Sequence, residues 1–199
     1  MTPLFSQEEL IKFGWLKTKS HFIFMVGLLF VVFLIAAAVG ENKVLSILVA
    51  VFASITIINI SLIIASGGKP KLKDLPAKYT NFKMIASYII SSLLEGVAVL
   101  AGLFLLVVPG IYLALRLQFY KFLIVEKEDI GPIMALKKSW RMTEGHTWNL
   151  LLFMIMISFL NVFGMLLLGI GIFVTIPISV IAYALLYKKL LAGVSLVKV

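Results

Sequence analysis

Two ionisable side chains lie well inside long apolar runs of this 199-residue chain, Glu95 and Arg116, and they are its clearest candidates for chemistry. A charge at bilayer depth costs about 2.5–3.5 kcal/mol on insertion scales, so each should face an interior and seek a partner. Paired there, an acid and a base could carry a proton or a solute; the same pair could instead pin the register of two helices. Ser91, Ser92 and Gln118 lie close enough in sequence to complete a shared polar cavity with them. Other chemistries lack their residues. The absence of cysteine excludes disulfides, thiol nucleophiles and thiolate metal sites. His21 and His146 have no second ligand nearby, so no metal site is expected. No Ser/His/Asp grouping, carboxylate pair, Gly-rich phosphate loop or HExxH occurs. The chain therefore reads as non-enzymatic, with no cofactor.

The elements that must position Glu95 and Arg116 follow from composition and hydropathy. Hydrophobic residues make up 62% of the chain and charged residues 14%. A soluble domain has about 45–50% and about 25%, so this is an integral membrane protein. The expected fold is all-α: a polytopic membrane helix bundle of six transmembrane helices plus two interfacial amphipathic helices, in a single membrane domain over residues 1–199. The spans are expected at 21–39, 44–65, 84–108, 109–125, 148–168 and 170–187, and the interfacial helices at 1–20 and 131–144. Glu41-Asn42-Lys43 turns the first hairpin, Pro109-Gly110 the second, and Gly169 with Gly171 the third. Residues 66–83, with Gly67-Gly68, Pro70, Pro76 and five lysines, form a solvated connection. Pro177 is expected to kink the last span, which neighbouring helices tolerate. Counted from the Pro109 turn at 1.5 Å per residue, Glu95 lies roughly 20 Å down one helix and Arg116 roughly 10 Å down its neighbour. Tilt and the long arginine side chain close the difference, so the two are expected to pair or to share a polar cavity.

The formal net charge of +9 is distributed unevenly. With six crossings, Lys12, Lys17, Lys19, the lysines of the 66–83 connection, Lys121, Lys127, Lys137, Lys138, Arg141, Lys188, Lys189 and Lys198 share one face. Only Lys43 falls opposite. The positive-inside rule makes the basic face cytoplasmic, with both termini on that side. Trp15, Trp140 and Trp148 fall at the same interface. Nucleic-acid binding would need a folded basic surface with base-reading groups, whereas these cations lie on short membrane-proximal segments. Their expected partner is the lipid bilayer, specifically anionic phospholipid headgroups.

Residues 131–144 carry this reading furthest. Pro132 sits in the first turn and Gly145 just past the end, as helix punctuation requires. Ile133, Leu136, Trp140 and Thr143 fall on one face, with Lys137, Lys138 and Arg141 on or beside the other. Lys137, Lys138, Arg141 and Trp140 are thus the expected anionic-lipid contacts, each cation near the surface gaining roughly 1 kcal/mol. A membrane-protein partner is the other candidate for this face; a helix that only orients the bundle is the plainer reading. An internal repeat also runs through it. Shifted by 125 residues, Ile11 to His21 overlies Leu136 to His146, with Lys, Trp, Thr and His matching at identical spacing.

The stretch VVPGIYLALRLQFYKFLIVEKEDIGPIMALKKSWRMTEGHTW, residues 107–148, resembles a family of uncharacterised bacterial six-span membrane proteins. That family is related to the membrane domain of glycerophosphoryl diester phosphodiesterases. The matching features are Pro109-Gly110, Arg116, Glu126, Gly131-Pro132, Ala135-Leu136-Lys137-Lys138-Ser139-Trp140 and Thr143-Glu144-Gly145. The likeness extends from Lys69 to Val174-Thr175-Ile176-Pro177. It implies six helices in a bacterial cytoplasmic (inner) membrane and brings no activity, since the phosphodiesterases carry catalysis in a separate soluble domain that has no counterpart here. Two functions stay open: a non-enzymatic scaffold or docking protein with a basic cytoplasmic face, and a small-solute or ion transporter or channel component using Glu95 and Arg116.

Overall fold

The computed structural model describes residues 5–71, 81–167 and 169–196. The start of the expected first helix, Lys73, Pro76 and Lys78 of the long connection, Leu168 and Lys198 lie outside them. Among the described residues there is no strand. The helices run α1 (Gln7–Ser20), α2 (Phe22–Val39), α3 (Lys43–Ala65), α4 (Phe82–Leu105), α5 (Val107–Leu117), α6 (Tyr120–Glu126), α7 (Pro132–Met142), α8 (Thr147–Leu166) and α9 (Ile172–Leu196). Taking α5 and α6 as one span, six helices are long and apolar enough to cross a membrane, as a multi-pass membrane protein requires. Many of their apolar side chains, Phe33, Phe104 and Leu166 among them, are exposed, as lipid-facing surfaces must be.

Contacts divide the chain into two compact units. One comprises Lys71–Phe153 with the chain from Tyr187 on, and so holds α4 to α7; the other comprises Phe5–Pro70 with Met154–Leu186.

In the first unit the α4–α5 turn is tighter than expected. The helix breaks at Leu106, an extended residue (φ −164°, ψ 153°), and Pro109-Gly110 lies inside the first turn of α5 rather than at the junction. Proline is tolerated there because an N–H in the first turn has no helical acceptor. Gly110 serves packing. A Cβ on Gly102 would lie 2.9 Å from Gly110 Cα, and one on Gly110 would lie 2.8 Å from Leu103 N, so the two helices meet backbone to backbone. Gly96, which has small-residue spacing with Ser92, has nothing within 4 Å of such a Cβ and marks no contact.

In the second unit Asn42 accepts from Leu45 N–H at 3.2 Å to start α3 after Gly40, whose φ is 60°. Asn161 donates to Ser179 Oγ at 3.1 Å, an interhelical bond across the α8–α9 pair. Gly14 of α1 packs on α9, where a Cβ would meet Ile178 O at 2.5 Å, one residue past Pro177. Helix α9 continues to Leu196, beyond the expected end at 187.

The repeat reappears as burial. Leu10, Gly14 and Thr18 are the buried residues of α1, and Ala135, Ser139 and Thr143, each 125 residues on, are fully buried in and just after α7. Each helix thus carries a buried stripe at i, i+4, i+8, holding a small residue, Gly14 or Ser139, at the centre.

Candidate functional site

The span formed by α5 and α6 is interrupted. Gln118 and Phe119 separate the two helices, so backbone groups that a continuous helix would satisfy are released in mid-span. The Gln118 side chain donates from Nε2 to Leu115 O at 3.0 Å. Helix α7 supplies partners for two more of these groups. Ser139 Oγ accepts from Phe119 N–H at 3.1 Å and donates to Arg116 O at 2.9 Å. One turn later Thr143 Oγ1 donates to Ser139 O at 2.9 Å and lies 3.3 Å from Arg116 O. Ser91 of α4 donates to Pro132 O at 3.3 Å, holding the other end of α7. The interfacial helix is therefore the cap of a broken span, and the Ser-x-x-x-Thr spacing is what the break needs.

This geometry corrects the expected face of α7 in part: Thr143 is buried, as its place on that face implied, and Ile133 is not. The residues turned inward are Ala135, Ser139, Met142 and Thr143, whereas Ile133, expected on the apolar stripe, is exposed. Hydroxyls and an alanine pack where a larger side chain would hold the helix away from the break.

Arg116 projects from the same break. Its guanidinium carbon lies 4.5 Å from the centroid of the Trp140 ring and 5.7 Å from that of Tyr112, and the two rings meet edge to face at 5.7 Å. The residue is 3% exposed and its Nε has no hydrogen-bond acceptor. Among the described residues no carboxylate lies within 4 Å of it. Among the described residues, the cation is thus met by ring faces and not by a carboxylate.

Glu95 has other partners. Its Oε2 lies 3.9 Å from Lys121 Nζ and 3.0 Å from the Tyr120 hydroxyl, which in turn lies 2.8 Å from Ser92 Oγ. With one proton to give, Tyr120 donates to the carboxylate and accepts from Ser92. The expected direct pairing of Glu95 with Arg116 is therefore replaced by two separate local sets. Ser92 joins Glu95, Gln118 caps its own helix, and Ser91 holds α7. The acidic cluster before α7 also binds protein: Glu126 accepts from Tyr187 Oη and Lys188 Nζ of α9, while Asn81 donates to Glu128 at 3.5 Å and Lys83 pairs with Asp129 at 3.7 Å.

The lipid-contact candidates divide likewise. Lys137 and Arg141, four residues apart, are exposed on the outer side of α7 and line a pocket of about 410 Å³ together with Leu117, Leu136 and Trp140. Lys138 is half-buried and not among these lining residues.

Comparison with protein families gives a match over most of the chain. The family described as Domain of unknown function (DUF7847) covers residues 16–199. The chain belongs to this family. The DUF7847 match takes in α2 to α9, and therefore the whole assembly of broken span, α7 and pocket, but its description carries no activity and names no phosphodiesterase. Comparison with curated proteins and with solved structures finds no match.

Tyr112, Tyr120, Lys121, Ser139 and Thr143 are the site residues that sequence reading missed. Two signals pointed to some of them: Tyr112 precedes Arg116 by one helical turn, and Ser139 precedes Thr143 by one turn. Nothing in the sequence announced the break at Gln118 that gives the hydroxyls their work.

Proposed function

We propose that this DUF7847 protein is a non-enzymatic integral membrane protein that docks anionic phospholipid headgroups through a basic cytoplasmic face, with α7 as the contact. The observation that carries this reading is the division of labour on α7. Its inner face is committed to the broken span, while Lys137 and Arg141 stay exposed with no carboxylate within 4 Å among the described residues. An anchored helix cannot swing these cations away from the membrane surface, and each gains roughly 1 kcal/mol near anionic lipid. The placement is a bacterial cytoplasmic membrane with both termini inside, supported by the one-sided distribution of lysines and by the resemblance to bacterial six-span proteins. Hydrolysis is not carried over from the phosphodiesterases, and a scaffold role toward another membrane protein would use the same face.

The test is reconstitution of the full chain in vesicles doped with spin-labelled lipids. Phosphatidylglycerol should be motionally restricted in roughly tenfold preference to phosphatidylcholine at low salt, and Lys137→Gln with Arg141→Gln should remove most of that preference. Equal restriction of the two lipids would overturn the reading.

The transport reading keeps one observation in its favour, the half-buried Glu95 carboxylate chained through Tyr120 to Ser92. Liposome flux that persists unchanged in Glu95→Gln would remove it.

A further inference from the structure

The pocket beside α7 combines features that a diffuse basic surface does not. Two cations, Lys137 and Arg141, stand on one side of α7, and three apolar side chains, Leu117, Leu136 and Trp140, line the same space of about 410 Å³. Trp140 is shared: it lines the pocket and also covers the Arg116 guanidinium at 4.5 Å. Arg116 is buried, lacks a counter-ion among the described residues, and keeps an unused donor at Nε. A buried cation normally has its countercharge in the protein. Among the described residues it meets ring quadrupoles and no carboxylate, and Lys137, Arg141 and Arg116 bring three positive charges to the ground around Trp140 with none of them in a described ion pair. Such a region is completed by an anion.

We propose that this pocket is a discrete site for one anionic phospholipid, its phosphate held between Lys137 and Arg141 and the first carbons of an acyl chain laid along Leu117, Leu136 and the Trp140 ring. The inference rests on the docking function proposed above and sharpens it from a charged face to a stoichiometric site. A free phosphate would satisfy the cations but leave the three apolar walls wet, which is why a lipid is the occupant the lining fits. Lys137 and Arg141 contact the headgroup directly. Arg116 is a positioning residue: it fixes the Trp140 ring as a wall and raises the local potential without reaching the ligand. The rigidity comes from the break, because Ser139 ties α7 to Phe119 N–H and Arg116 O on either side of Leu117, the wall contributed by α5.

The experiment is native mass spectrometry of the full chain released from nanodiscs of mixed phosphatidylglycerol and phosphatidylcholine, with a phosphate-buffer arm for the free anion. The wild type should retain one phosphatidylglycerol per chain, saturating as its mole fraction rises, with phosphate unable to displace it. Leu136→Trp should fill the pocket and leave every charge in place. It should cut retention of that lipid roughly tenfold while the spin-label preference of the membrane as a whole persists. Arg116→Gln should weaken retention less and broaden the emission of Trp140 in a Trp15→Phe, Trp148→Phe background. Retention that is non-stoichiometric, or unchanged in Leu136→Trp, would overturn the discrete site while leaving basic-face docking standing. Displacement by phosphate alone would also overturn the lipid assignment. Loss of all phosphatidylglycerol preference in the wild type would overturn both.

Discussion

Replacing Ser139 by alanine removes one oxygen and releases two backbone groups. Phe119 N–H loses the Ser139 acceptor, and Arg116 O loses a donor at 2.9 Å. Ser139 is fully buried, so water does not replace either contact. A buried polar group left unsatisfied costs about 1–3 kcal/mol. The carbonyl suffers less than the amide, because the Thr143 hydroxyl, 3.3 Å away, can turn its proton from Ser139 O to Arg116 O. The expected loss is therefore about 2–3 kcal/mol. Ser158→Ala is the control: that hydroxyl donates to Met154 O of its own helix at 2.8 Å and is exposed, so alanine should cost about 0.5 kcal/mol or less. Both variants can be measured by reversible unfolding in bicelles, followed by tryptophan fluorescence. Losses within about 0.5 kcal/mol of each other, the usual scatter of surface substitutions, would refute the assignment of Ser139 as the cap of the broken span. Thr143→Ala combined with Ser139→Ala should exceed the sum of the two single losses, since each hydroxyl partly covers for the other.

Three further outcomes follow from the same contacts. Gly102→Ala sets a Cβ 2.9 Å from Gly110 Cα, a backbone atom that must move, and should destabilise by about 1–3 kcal/mol; Gly96→Ala, with open space around the new methyl, should be neutral or stabilising in the same unfolding assay. Trp140→Leu strips the ring from Arg116 and from the edge-to-face contact with Tyr112, and should cost about 2 kcal/mol or more, with Trp140→Phe recovering part of it. Glu95→Gln leaves the Tyr120 hydroxyl an acceptor and loses only the 3.9 Å pair with partly exposed Lys121, so its stability should fall by less than about 1 kcal/mol, whereas Glu95→Leu, which removes the acceptor, should cost more in a urea or SDS titration.

The α5–α6 break changes the meaning of residues that a linear reading groups together. Ala135-Leu136-Lys137-Lys138-Ser139-Trp140 reads as a basic amphipathic segment, yet its members have separate tasks. Ala135 and Ser139 permit close approach to the span, Trp140 covers Arg116, and Lys137 with Leu136 faces the pocket. A small residue followed by a tryptophan, at 14 and 15 as at 139 and 140, marks the same inward turn in α1, where Gly14 meets the Ile178 carbonyl. There the small residue is glycine because a carbonyl occupies the space where a Cβ would stand.

Hydropathy determined the class of this protein, its all-helical character and its six apolar runs, and the Pro132 and Gly145 punctuation gave the existence of α7, whose expected range 131–144 brackets Pro132–Met142. Those properties are sums along the chain, and the cost of leaving a polar side chain in hydrocarbon is large enough to be read residue by residue. Rotation about each helix axis is a different matter. In water an apolar stripe reveals the packed face, but a span meets lipid on one side and protein on the other, and both are apolar. Hence the partners of Glu95 and Arg116 could not be read, although both residues were singled out. On α7 the apolar stripe pointed to Ile133, while the packed face was set by small and hydroxyl residues answering a break elsewhere in the chain. The break itself, and the placing of Pro109 within α5, are decided by tertiary contacts: Gln118, singled out as a cavity residue, marks a break only once Ser139, 21 residues later, accepts from the amide of Phe119.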